Sequence, residues 1–145
     1  MLFDKESGEM KDIQFLINKT FPFVENLLEE NGEFYPLATA LKPDHSFPMV
    51  GAFDGDDFPL STTVIDNLKA GLKAQSKENK AVVIFYDVRV TEPATLKKRD
   101  AVAVFAEHVE GQESYVFFYP YELLAGKLTF YECFAEAGEK EIFMD

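Results

Sequence analysis

Ala81-Val82-Val83-Ile84-Phe85-Tyr86-Asp87-Val88-Arg89-Val90-Thr91 carries the clearest strand pattern in the chain. Side chains alternate across a strand, so Val82, Ile84, Tyr86, Val88 and Val90 share one face. The other face starts apolar with Val83 and Phe85, then turns charged at Asp87 and Arg89. One face is therefore predicted to be core throughout, while the second emerges partway along into solvent or a cleft. Downstream, the basic loop Lys97-Lys98-Arg99 precedes a second strand, Asp100 to Val109. Glu110-Gly111-Gln112-Glu113 reads as a hairpin turn before a third strand, Ser114 to Tyr121, with aromatics on both faces. Consecutive strands joined by short turns pair antiparallel.

Working back toward the N-terminus, Val64, Ile65, Leu68 and Leu72 give one apolar stripe on a helix over Thr62 to Lys77. Phe34–Leu41 and Phe47–Phe53 read as strands around the turn Lys42-Pro43-Asp44-His45, which predicts a hairpin. Pro36 and Pro48 cannot donate to a ladder and belong at strand ends or edges. A first helix is expected over Asp12 to Glu30, with Leu16, Ile17, Val24, Leu27 and Leu28 on one side. Pro22 kinks it or starts a second helix, and Gly32 stops it by taking positive φ. In the tail, Lys127–Tyr131 is expected as a short strand, Glu132–Ala137 as a helical turn ended by Gly138, and Glu139–Phe143 as a final strand.

The order helix, two strands, helix, three or more strands gives an α+β fold. It is expected to be an antiparallel sheet of about five strands with both amphipathic helices on one side. Residues 1–145 read as a single domain with 1–11 frayed. Nothing in the chain repeats, and no linker divides it.

The chain has 26 acidic and 14 basic residues, for a net charge of −12. That surface repels nucleic acid and anionic membranes and favours a basic partner. One cysteine, Cys133, excludes an internal disulfide and fits a reducing compartment. The N-terminus lacks the pattern of a signal peptide, so a cytoplasmic location is expected.

The sharpest local cluster is Asp54, Asp56 and Asp57 around Gly55. Three carboxylates suit a hard cation, but the twelve-residue calcium pattern is absent, and an acidic turn before a helix is the plainer reading. No metal site or cofactor is therefore assigned. Asp87 and Arg89 share a strand face and form either a ligand anchor or a surface ion pair. An ion pair between Arg89 and the Asp54–Asp57 loop is the alternative. Tyr119 and Tyr121, beside Phe117, Phe118 and Pro120, belong to a core strand or to a sticky interface strip. Neither His45, His108 nor Cys133 has the spacing of a catalytic or zinc set, and Cys133 is expected as a small buried hydrophobe. No catalytic residue is assigned.

The segments Glu33-Phe34-Tyr35-Pro36-Leu37-Ala38, Val50-Gly51-Ala52-Phe53-Asp54-Gly55-Asp56 and Tyr86-Asp87-Val88-Arg89-Val90 together resemble a family of uncharacterised bacterial proteins. Asp100-Ala101-Val102-Ala103-Val104, Pro120-Tyr121 and Phe134-Ala135-Glu136-Ala137-Gly138-Glu139 fit the same pattern. The resemblance implies a bacterial source and one intact domain, and carries no functional residues with it. The element order also resembles roadblock-like and profilin-like domains, which implies fold alone.

Three functions follow. The first is a non-catalytic acidic domain that binds a basic protein, for instance an immunity-type inhibitor of a basic toxin. The second is a homodimeric scaffold or regulatory module. The third is a small enzyme or ligand-binding domain in which Asp54, Asp56, Asp57, Asp87 and Arg89 converge on one pocket.

Overall fold

The computed structural model describes residues 8–50 and 61–144. In chain order it contains α1 (Gly8–Asn31), β1 (Leu37–Leu41), β2 (Met49–Val50), α2 (Ser61–Ala74), a 3-10 turn (Ser76–Glu78), β3 (Ala81–Thr91), β4 (Lys98–His108), β5 (Ser114–Leu124), β6 (Lys127–Phe130) and β7 (Phe134–Gly138). The strands form one sheet in the order β2-β1-β3-β4-β5-β6, with β7 also on β5. Every pairing is antiparallel.

β3 keeps the bounds its alternation predicts, but both of its faces are buried from Ala81 to Phe85. β4 is likewise buried on both sides from Ala101 to His108. A strand apolar on both sides needs a cover on each. Helix α1 covers Val83, Phe85, Val102, Val104 and Ala106 with Ile13, Leu16, Ile17, Val24 and Leu28. Helix α2 covers Ala38, Ala40, Val82, Ile84 and Phe105 with Val64, Leu68 and Leu72. The helices thus lie on opposite faces, which corrects the expectation of one shared side. The consecutive apolar residues Val82-Val83-Ile84-Phe85 are the physical reason.

Local chemistry sets the element ends. α1 runs unbroken through Pro22. Pro22 and Asn18, four residues before it, are both exposed, so the carbonyl that loses its donor lies on the solvent side. Gly32, at φ 77°, ends the helix and donates its N–H to the Leu28 carbonyl at 2.8 Å. In the β1–β2 hairpin, Asp44 accepts from the Ser46 N–H at 2.9 Å and from its hydroxyl at 2.6 Å. Buried Thr20 on α1 and Thr39 on β1 share a hydroxyl hydrogen bond of 2.9 Å.

Lys98 and Arg99 belong to β4, not to a preceding loop. Along its far edge β5 holds β7 from Ser114 to Phe118 and β6 from Tyr121 to Leu124. Pro120 falls in the gap between them, and its carbonyl accepts from the Tyr131 N–H at 2.9 Å. In an antiparallel ladder a residue's N and O point the same way, so the donor that Pro120 lacks is missing where no strand asks for it. The tail also departs from expectation. Phe134–Gly138 is a strand, because the free edge of β5 outweighs the helical preference of Ala and Glu. Residues 139–143 form no strand, because the backbone there serves a buried carboxylate instead.

Candidate functional site

β3 leaves the core at Tyr86, and its α1-side residues then become Asp87 and Arg89. Asp87 is half-buried, and the Tyr121 hydroxyl of β5 donates to its Oδ1 at 2.9 Å. Burial pushes the Asp87 carboxyl up to about 6, with Asp100 and Glu33 adding to the rise and the Tyr121 bond opposing it. Arg89 faces Asp100 across the β3–β4 ladder and pairs with it at 3.2 Å. Both side chains are more than half exposed, at 63% and 55%, so the pair adds well under ~1 kcal/mol. Asp87, Arg89 and Asp100 line a cavity of about 300 Å3 together with Glu33, Phe34, Tyr35 and Val88.

Glu33, Phe34 and Tyr35 also form one wall of a second cavity, of about 400 Å3. Its remaining lining is Phe23, Leu27 and Asn31 from α1, Leu37 from β1 and Met49 from β2. Phe23, Leu27 and Asn31 recur at helical spacing, so the end of α1 presents a single stripe to it. Phe23 is 45% exposed and Met49 49% exposed. The two cavities share the Glu33–Tyr35 wall, the one toward β2 mostly apolar and the one toward β3–β4 acidic. Glu29 and Glu30 lie in the last turn of α1, which contains no basic residue. Acidic side chains there oppose the helix dipole.

The other sites singled out in the sequence separate. Tyr119 packs edge-on against Phe21 at 5.0 Å and shares a hydrogen bond with the Cys133 thiol, away from the Asp87 cavity. Burial raises the Tyr119 and Tyr121 phenols well above their ordinary value. Phe117 and Tyr121 are buried and Phe118 stacks on Phe134 at 5.0 Å, so these rings form no exposed strip. Cys133 is exposed rather than buried. Its thiol leans toward the Phe134 carbonyl at 3.8 Å, and partial desolvation of the sulfur beside Tyr119, although the residue as a whole is exposed, raises its pKa. Arg89 pairs with Asp100, and the Asp54–Asp57 loop with which it was to pair lies outside the described residues, as do Asp54, Asp56 and Asp57 themselves. Among the described residues, no group of three or more His, Cys, Asp or Glu could hold a metal ion. Nor is any helix among them long and apolar enough to cross a membrane.

A third cavity, of about 530 Å3, runs from Glu92 to Thr95 and from Tyr131 to Phe134. At its edge Arg99 donates to Glu92 at 2.7 Å and lies over the Tyr131 ring at 3.8 Å. The Arg99 hydrogen bond lowers the Glu92 carboxyl's pKa. Glu92 accepts from both Arg99 and the Thr95 hydroxyl, the latter at 2.8 Å, as in a structural clamp.

Two buried groups escape sequence reading. Glu107 is fully buried and accepts three backbone N–H groups, from Glu141 at 2.7 Å, Ile142 at 2.8 Å and Phe143 at 2.6 Å. His108, also fully buried, accepts the Glu110 N–H on Nδ1 at 3.0 Å. Its proton therefore sits on Nε2, which donates to Asp12 Oδ2 at 2.8 Å. Lys80 Nζ stands 3.4 Å from the same oxygen. Both ring nitrogens are occupied, so His108 has no lone pair to offer a substrate. Glu107 and His108 read in sequence as an ordinary strand end, because Asp12 comes from α1 and the three donors to Glu107 come from the tail.

No protein-family model, curated protein or solved structure matches the chain.

Proposed function

We propose that this protein is a non-catalytic protein-binding domain that takes a basic partner at the C-terminal end of α1. One observation carries the reading. Glu29, Glu30 and Glu33 crowd the negative pole of the helix, beside a cavity that also contains Asp87 and Asp100. Each misplaced exposed carboxylate costs a helix about 0.3–1 kcal/mol. Arg89, the cation of that cavity, is already engaged by Asp100. A basic surface docked there would offset the repulsion. The net charge of −12 would steer such a partner inward from a distance. The engaged nitrogens of His108 and the raised thiol of Cys133 favour binding over catalysis. An immunity-type inhibitor of a basic enzyme in a bacterial cytosol is one concrete form of this function.

The test is affinity capture from the native cell at about 0.05 M and about 0.5 M salt, where screening differs several-fold. The bait is the wild-type chain, with the Glu29→Lys, Glu30→Lys double variant as comparison. The expected result is a basic protein retained at low salt by the wild type alone. Retention that ignores both salt and the substitutions contradicts the proposal.

A further inference from the structure

We infer that the groove between α1 and the β1–β2 edge docks one extended segment of the basic partner, an apolar side chain entering the well at Phe23, Leu27 and Met49 and a neighbouring arginine or lysine entering the acidic well at Asp87. The inference rests on the basic-partner reading and gives its mode of contact. A well of about 400 Å3 matches the smaller ligand pockets and suits one large side chain. Phe23 and Met49 stay substantially exposed at its rim, which leaves apolar surface available for burial. The adjoining well of about 300 Å3 shares the Glu33–Tyr35 wall, so the two subsites sit side by side and one short segment spans both.

Charge selects the occupant. Asp87 faces Tyr121 from β5, Asp100 from β4, Glu33 from the α1–β1 connection and Arg89 from its own strand. Three of these five groups are carboxyls, and the guanidinium of Arg89 pairs with Asp100. A second copy of this chain, also at −12, would bring like charge against like charge, so a basic segment fits and a homodimer here does not. A cation beside Asp87 favours its ionised form, so docking releases a proton and weakens as pH falls through about 6.

The experiment titrates the 15N-labelled full chain with the capped pentapeptide Arg-Leu-Phe-Arg-Lys at pH 7 and pH 5. A control peptide carries glutamate in place of every basic residue. Phe23 is exposed, so Phe23→Asp leaves the core intact, and Asp87→Asn keeps an acceptor for Tyr121. Support is a set of shift changes at Phe23, Leu27, Tyr35, Met49 and Asp87, absent with the control and weaker at pH 5. Each variant is expected to weaken binding about tenfold, equivalent to about 1.4 kcal/mol. Shift changes elsewhere that ignore both variants overturn the inference and leave the basic-partner reading standing. No shift changes also overturn it, and capture from the cell then decides the wider reading. Groove signals that broaden with protein concentration in the absence of peptide would place a second copy there, and would overturn it too.

Discussion

The hydroxyl of Tyr121 on β5 donates to the carboxylate of Asp87 on β3 at 2.9 Å, reaching across the intervening strand β4 at the edge of the acidic well that Asp87 lines. That bond favours the charged form of Asp87, yet burial wins and raises the carboxyl to about 6. The native state therefore binds more protons than the unfolded chain between the ordinary value of 3.8 and about 6. A raised acid destabilises the fold as it ionises, so this contribution is lost as pH rises through that window and stays lost above it.

Asp87→Asn removes the ionisation while keeping a hydrogen-bond acceptor. The variant is expected to be more stable than the wild type at pH 7 by about 1–2 kcal/mol, after discounting for solvent screening, and to gain only a small fraction of that at pH 4. Urea unfolding at both pH values measures it. Equal gains at both would mean that the Asp87 charge is not the cause. A stabilising loss of charge is what a residue kept for binding should give.

Glu107→Ala strands the backbone N–H groups of Glu141, Ile142 and Phe143. Unpaired buried donors cost about 1–3 kcal/mol each, and partial hydration of a loosened tail limits the total to about 3–4 kcal/mol. Ile142 and Phe143 should leave the α2-side core with it. Hydrogen exchange is expected to accelerate at residues 141–143 well before β3 is affected.

His108 is expected to show a protonated Nε2 and an unprotonated Nδ1 in long-range 15N–1H spectra, because the Glu110 N–H fills the Nδ1 lone pair. Asp12→Ala leaves that Nε2–H without its acceptor and Lys80 without its partner, at a cost of about 1–3 kcal/mol. The opposite tautomer would contradict the pairing of His108 with Glu110 and Asp12.

Cys133 is exposed but its thiol is raised by burial, so little thiolate forms at neutral pH. Iodoacetamide at pH 7.4 is expected to label it several-fold more slowly than free cysteine. Tyr119→Phe removes the hydroxyl that favours the thiolate and should slow labelling further. Labelling faster than free cysteine would show a nucleophile that the geometry does not support.

Much of the fold was legible wherever one residue's chemistry is local. The alternation from Ala81 to Thr91 placed β3 to the residue, Gly32 marked the end of α1, and Asp44 marked the hairpin turn. Alternation says that a strand has two apolar faces, but not which helix covers which. The sides of α1 and α2 were therefore missed, although Val82-Val83-Ile84-Phe85 already required two covers. The tail was misjudged because Phe134-Ala135-Glu136-Ala137 has helical preference, and only the open edge of β5 makes it a strand.

Of the candidate site, Asp87, Arg89 and Tyr121 were visible as types on shared faces, whereas Tyr119 was directed elsewhere. The groove was not visible. Phe23, Glu33 and Met49 become neighbours only after α1 packs on the sheet and the hairpin folds back. Nor could spacing find Glu107, whose partners lie beyond β7.

The most direct test is the footprint of the captured partner on this chain, read by hydrogen exchange of the complex against the free protein. New protection over residues 23–37 and at the Asp87–Arg89 end of β3 is the result expected if the acidic end of α1 is the binding face. Protection confined to α2 and the far side of the sheet, with residues 23–37 unchanged, would contradict it.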